Sequence, residues 1–335
     1  MSSCNKELEF SENDISDLTG YVAIVTGGNG GIGYETTKQL ALRNARVYIA
    51  SRSQQRVDEA IAQMNQSADG KKLDLHFIQM DLQDLKSVKL AANLFLQQES
   101  RLDILINNAG ICLNPRERTF VNIRLTTFQV MTVPYKLTSD GFETQFQVNY
   151  LAPYLMTSIL LPLLLSTASQ AQSQHRVRVI NVASDLAFMG PKTIQFDDFN
   201  MTETKGMTEL IQRYGHSKQA AIRHAKELND RYSAQGVTAY SLHPGVIKTG
   251  LQGHDPTIVG TVMRTVMKYT NRTTALEGAL NSLFCATSSI APERGEGKYF
   301  APVGKHNPKA DKWLNDRETN ARLWQQSEMI ITSVQ

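Results

Sequence analysis

Cysteine and tryptophan are scarce, with 3 and 2 among 335 residues. Cys4, Cys112 and Cys285 share no metal-like spacing, and so sparse and odd a set excludes a disulfide framework; it fits a reducing, cytoplasmic setting. Charge of one sign is not in excess either. The 35 Lys and Arg stand against 32 Asp and Glu, a net +3, and the basic residues are scattered, so no nucleic-acid groove is indicated. No apolar run is long. The longest, LAPYLMTSILLPLLL at 151–165, has 15 residues and two prolines. It falls short of the roughly 20 needed to cross a bilayer, and reads as a buried helix rather than a transmembrane anchor. The first residues hold no apolar signal core. There is no H-E-x-x-H, no Cys/His cluster and no nucleophile elbow, so neither a catalytic metal nor a serine-hydrolase site is expected.

What is present is an ordinary globular composition, 41% hydrophobic and 20% charged. Apolar, β-branched runs alternate with segments of helical spacing. Strands are expected at 21–26, 46–50, 75–80, 102–107, 177–183, 237–243 and 298–303. Helices are expected from the turn after the first strand to about 44, then near 54–65, 84–98, 140–165, 207–232 and 273–287. Continuous apolar strands between helices imply a parallel sheet covered on both faces. With right-handed crossovers this is an α/β, doubly wound, Rossmann-like sheet in a single domain. The expected layout is a tail over 1–17, one domain over 18–307 and a tail over 308–335.

Three motifs carry chemistry. Between the first strand and helix stands Thr26-Gly27-Gly28-Asn29-Gly30-Gly31-Ile32-Gly33. Glycines allow a tight turn and bring backbone N–H groups close to a diphosphate, and the helix N-terminus adds unpaired donors. At the end of the second strand, Ser51-Arg52 puts a cation where an acid would bind the ribose of NAD. An arginine there accommodates a 2′-phosphate, which favours NADP(H). Tyr214 and Lys218 stand four residues apart on an expected helix, hence on one face. A nearby ammonium favours the phenolate and suits the phenol to proton exchange near neutral pH. Each motif alone is weak.

Together, TGGNGGIG, NNAG at 107–110, Asn149, Ser184 and YGHSK at 214–218 occur in an order and at spacings that resemble the short-chain dehydrogenase/reductase family. The resemblance covers roughly 18–305. Its closest form is the retinol-dehydrogenase-like and WW-domain-oxidoreductase-like group, on IASR at 49–52, FDDFN at 196–200, HPG at 243–245 and GKYF at 297–300. It implies an NADP(H)-dependent enzyme interconverting a carbonyl and an alcohol. Asn149, Ser184, Tyr214 and Lys218 would be catalytic. Ser184 would bond the carbonyl oxygen and Tyr214 exchange its proton; Lys218 would serve Tyr214 and the nicotinamide ribose, and Asn149 a relay water. Gly27, Asn29, Gly31, Ile32 and Gly33 would hold the diphosphate and Arg52 the 2′-phosphate. Asp81 and Leu82 would flank the adenine, Asn108, Ala109 and Gly110 line the adenosine side, and Pro244, Gly245, Val246 and Thr249 contact the nicotinamide. A homodimer paired through the helices near 140–167 and 207–232 is also allowed.

His216 is expected at the surface, and His243 at a strand end. Residues 112–131 exceed the pattern, and two readings stay open: a lid beside the pocket, or a retained intron. The stretch at 184–214 and the apolar 250–272 (Ile258, Val262, Met263, Val266) are expected as walls for a lipophilic retinoid-, steroid- or polyketide-like substrate, with a role in secondary metabolism by analogy. Two rival readings are an NADP-binding sensor or scaffold without turnover and a C=C reductase on the same fold.

Overall fold

The computed structural model describes residues 10–111, 135–171, 173–204, 209–245 and 274–333. The 112–131 insertion, the 250–272 stretch, Val246 and Thr249 lie outside the described residues. Seven strands, β1 (Val22–Thr26), β2 (Arg46–Ser51), β3 (Leu75–Gln79), β4 (Ile104–Asn107), β5 (Val177–Val182), β6 (Val237–Leu242) and β7 (Tyr299–Phe300), form one parallel sheet in the order β3-β2-β1-β4-β5-β6-β7. Every residue of β1, β4, β5 and β6 is buried, as expected where helices cover both faces.

The helices are α1 (Gly31–Leu42), α2 (Gln54–Gln66), α3 (Leu85–Gln98), α4 (Ala152–Ser169), α5 (Glu209–Tyr232), α6 (Ala275–Thr287) and α7 (Arg317–Ser333), with shorter turns between. Local chemistry sets several starts. Ser53 accepts from Arg56 N at α2, Asp84 accepts from Lys86 and Ser87 N at α3, and Thr274 and Glu277 form a capping box at α6. Two apolar clusters flank the sheet. One gathers Leu85, Val88, Phe95, Tyr150, Tyr154 and Leu160 under α3 to α5; the other gathers Leu40, Met64, Leu283 and Phe284 under α1, α2 and α6.

The helix expected near 140–165 runs continuously over Thr144–Ser169, with a π-helical stretch at Gln147–Leu151 before α4. Its 26 residues are long and apolar enough to cross a membrane by length and composition. Its inner side is nonetheless core, and it carries buried Gln145, Gln147 and Asn149 at its start.

The ends differ from the expected tails. Phe10 packs edge-on to Phe284 at 5.4 Å, and Ile15 and Leu18 are buried, so the chain joins the core well before residue 18. The stretch after 307 is also integral. On α7, Leu323 and Trp324 are buried, the Tyr150 and Ser327 hydroxyls lie 2.6 Å apart, and Tyr154 Oη donates to the Trp324 carbonyl. Burying two such side chains contributes about 1.5–3 kcal/mol each. Their partners lie some 170 residues away in the chain, which hides them from local pattern. Part of the surface expected for pairing, on α5 and the helix before it, is covered by α7.

Candidate active site

The turn after β1 sits where the strand order reverses, between β1 and β4, at the carboxyl ends of the strands. Gly27 and Gly31 adopt φ of +65° and +55°, a region that glycine enters at no steric cost. At Gly33 the constraint is space. A Cβ there would lie 2.3 Å from the Gly27 carbonyl oxygen and 2.5 Å from Asn108 Nδ2. Asn108 Nδ2 donates to the Thr26 carbonyl at 2.9 Å, and Ala109 N donates to Thr26 Oγ1 at 2.8 Å. The NNAG segment thus braces the end of β1. A Cβ on Gly30 or Gly31 would meet nothing within 4 Å, so the outer side of the turn is open to a ligand.

A cleft of about 520 Å³ opens beside this turn, within the range of ligand sites. Of the residues expected to hold the cofactor, Gly27, Asn29, Arg52, Asp81, Leu82, Ala109 and Gly110 line it, while Gly31, Ile32, Gly33 and Asn108 do not. Ser51, Ser53, Arg56, Gln83, Ile111 and Val148 line it as well. Asn29 Oδ1 accepts from Ser51 Oγ at 2.9 Å, and Asp81 Oδ1 accepts from Gln83 N, fixing both rims. Two guanidinium groups and the first turns of α1 and α2 make the far end suited to phosphate. The donor set therefore fits a phosphorylated dinucleotide.

The catalytic candidates lie on neighbouring elements, and two of them, Asn149 and Lys218, reach the cleft at Gly110. Ser184 follows β5 and caps a 3-10 turn at Asp185–Met189, its Oγ accepting from Leu186 N at 3.2 Å. That bond occupies a lone pair and leaves the hydroxyl proton for another acceptor. Tyr214 and Lys218 lie on α5, with Lys218 Nζ 5.7 Å from the Tyr214 ring centroid and bonded to the Val182 carbonyl at 2.8 Å. Asn149, on the π-helical stretch, accepts from Ile111 N at 2.8 Å and donates to the Ile111 carbonyl and Ser217 Oγ. π-Helical turns often mark functional positions. Gly110 joins the two parts: it lines the cleft, and a Cβ on it would lie 3.0 Å from both Asn149 Oδ1 and Lys218 Nζ. All four groups are buried. The 3-10 turn and α5 touch backbone to backbone, because a Cβ on Gly190 would sit 2.7 Å from the Gly215 carbonyl carbon.

Among the described residues, no group of three His, Cys, Asp or Glu could hold a metal. A model of the short chain dehydrogenase family matches residues 21–195. The chain belongs to the short-chain dehydrogenase/reductase family. An oxidoreductase of Schizosaccharomyces pombe is 38% identical over 88% of this chain and 80% of its own. Human retinol dehydrogenase 12 is 35% identical over 92% and 85%. A Burkholderia cenocepacia short chain dehydrogenase solved in complex with NADP superposes with a TM-score of 0.59 at 24% identity, over 87% of this chain and 99% of that one. The protein is therefore an oxidoreductase with a nicotinamide cofactor, on the fold these relatives share.

Within this short-chain dehydrogenase/reductase site, several placements depart from expectation. His216 is not at the surface. It is 1% exposed, stacks on Phe146 at 4.9 Å, and its Nε2 accepts from Gln195 N. Burial holds its pKa down to about 3, so it is a neutral peg between α5 and the 191–200 loop. His243 directly follows β6, its N bonded to the Phe300 carbonyl, and burial keeps its pKa below the usual range against the opposing pull of Asp185. Pro244 and Gly245 follow it, outside the lining of the cleft. Arg56 was the readable omission: it stands four residues after Arg52, on the first turn of a helix capped by Ser53.

Proposed function

We propose that the protein is an NADP(H)-dependent carbonyl reductase of lipophilic aldehydes or ketones, running toward the alcohol in a reducing, cytoplasmic setting. The observation that carries this is Gly110, which lines the cleft that holds Arg52 and Arg56 and also lies beside Asn149 Oδ1 and Lys218 Nζ, the latter on the helix of Tyr214. Arginine without a competing carboxylate at 51–53 favours a 2′-phosphate over a bare ribose. Met189, 54% exposed on the turn after Ser184, offers an apolar surface beside the site. The name of the retinol dehydrogenase relative also favours a lipophilic, retinoid-like substrate. A place in secondary metabolism belongs to the same reading.

When bound, the nicotinamide supplies the hydride. The chain must then steady an oxygen that gains negative charge and give it a proton. The Ser184 hydroxyl, backed by Leu186 N, donates a hydrogen bond to that oxygen. Tyr214 donates the proton, and the Lys218 ammonium stabilises the phenolate left behind. Asn149 ties the exit of β4 to α5 and so holds Lys218 against the cleft.

The test is NADPH consumption by the purified protein across a panel of lipophilic aldehydes and ketones, with NADH and C=C substrates alongside. Alcohol formed with a preference for NADPH supports the reading. Tight NADPH binding without turnover on any compound would replace it with a nucleotide-sensing role.

A further inference from the structure

The Ser184 hydroxyl is only as well placed as the turn it caps. Ala187 N donates to the Ser184 carbonyl and Gly190 N to the Ala187 carbonyl, and the last ladder bond ahead of the turn is Ala183 N to the Leu242 carbonyl at 2.8 Å. Two residues from the far end of the chain grip it. Tyr299 Oη, on β7, donates to Asp185 Oδ1 at 2.8 Å. Burial, aided by the Asp185 carboxylate, pushes the Tyr299 phenol up and keeps it a donor. Trp313 stacks on Phe188 at 5.0 Å with the rings 13° apart, while Tyr299 meets the same ring edge-on at 5.8 Å. Trp313 Nε1 also reaches the Lys192 carbonyl just past the turn.

Trp313 is itself tied to the helix of Tyr214 and Lys218. Its carbonyl accepts from Arg223 Nη1, on α5, and from Asn320 Nδ2. Arg223 is 1% exposed and also bonds Asn320 Oδ1 at 2.7 Å and Asp316 at 3.2 Å. A buried guanidinium whose Nη1 and Nη2 bond three groups of one distant segment ties that segment firmly to α5.

We propose that Trp313 and Tyr299 are positioning residues, and that the segment after 307 acts as a brace setting Ser184 against Tyr214. This rests on the reading of Ser184 as the donor to the substrate oxygen.

The experiment uses the full chain with Trp313→Ala, Trp313→Phe and Tyr299→Phe, the last removing one hydroxyl without opening the core. In Trp313→Ala, the amides of Leu186, Ala187 and Gly190 should exchange about tenfold faster or more, while those of β1 and α1 are unchanged. In the same variant kcat should fall by about tenfold to a hundredfold, the cost of ångström-scale misplacement, with NADPH affinity and its KM held. Trp313→Phe should restore most of both, and Tyr299→Phe should show the same local pattern at smaller size. Unchanged exchange at 184–190, or exchange raised equally across β1 and α1, overturns the brace. Absence of turnover in the unaltered chain would instead sink the functional reading, and the exchange data would still decide the inference.

Discussion

At the end of β1 the chain makes room for a ligand by leaving side chains out; at the end of β5 it surrounds the candidate catalytic groups with buried side chains. The first region depends on Gly27, Gly31 and Gly33 and on backbone bonds such as Gly27 N to the Ala50 carbonyl at 2.8 Å. The second depends on Asn149, Ser217, His216, Arg223 and Trp313, each meeting partners distant in sequence. Binding a cofactor common to many reactions asks for a shape that backbone can supply. Placing a proton donor and a hydrogen-bond donor on one oxygen asks for side chains locked by their neighbours.

The largest effect that would break the first region is Gly33→Ala. The added methyl has no room between Gly27 and Asn108, so it should destabilise the chain by about 3 kcal/mol or more and remove NADPH binding, read by thermal melting and calorimetric titration. Gly30→Ala is the sharpening control. Its backbone is extended and the space beside it is open, so stability should change by less than about 0.5 kcal/mol. Equal melting losses for the two variants would refute the steric account of the turn.

Next in size is Arg52→Ala. Losing a charge-assisted bond to the 2′-phosphate should weaken NADPH by about tenfold to a hundredfold, some 1.5–3 kcal/mol, and leave NADH nearly untouched. Equal weakening of both would remove Arg52 from phosphate recognition.

The second region is tested through pH. His216 and His224 are neutral inside, each held down to about 3 by burial, against an ordinary 6.5. Below 6.5 the unfolded chain takes up protons that the folded chain refuses. Stability is thus complete above that pH and declines as pH falls toward 3, at roughly 1 kcal/mol per pH unit per histidine. Melting temperature should drop between about pH 6.5 and pH 5, and His216→Gln, which keeps an acceptor for Gln195 N, should flatten the decline. An unaltered slope would mean that His216 is not the buried group that titrates.

Much of this was readable in advance, unevenly. The strand positions and the doubly wound parallel class followed from apolar runs alternating with helical spacing. The cofactor turn, Arg52 and the NNAG brace were readable because their geometry is local or tied to one strand end. Ser184, Tyr214 and Lys218 were legible only as an ordered set. The residues that position them were not. His216 looked like a surface slot because its place depends on Phe146 and Gln195 folding over it. Trp313 and Trp324 looked like tail residues because their partners, Phe188 and Tyr154, lie more than a hundred residues earlier. Tertiary packing of that range leaves no period in the sequence.

The central claim is that a buried phenol beside an ammonium exchanges the substrate proton at the end of an NADP(H) cleft. Tyr214→Phe tests it most directly, with NADPH affinity and the turnover of a reducible carbonyl measured on the same preparation. The account predicts turnover lowered by about a hundredfold to ten-thousandfold with NADPH affinity unchanged. Turnover that survives the loss of this hydroxyl would contradict it.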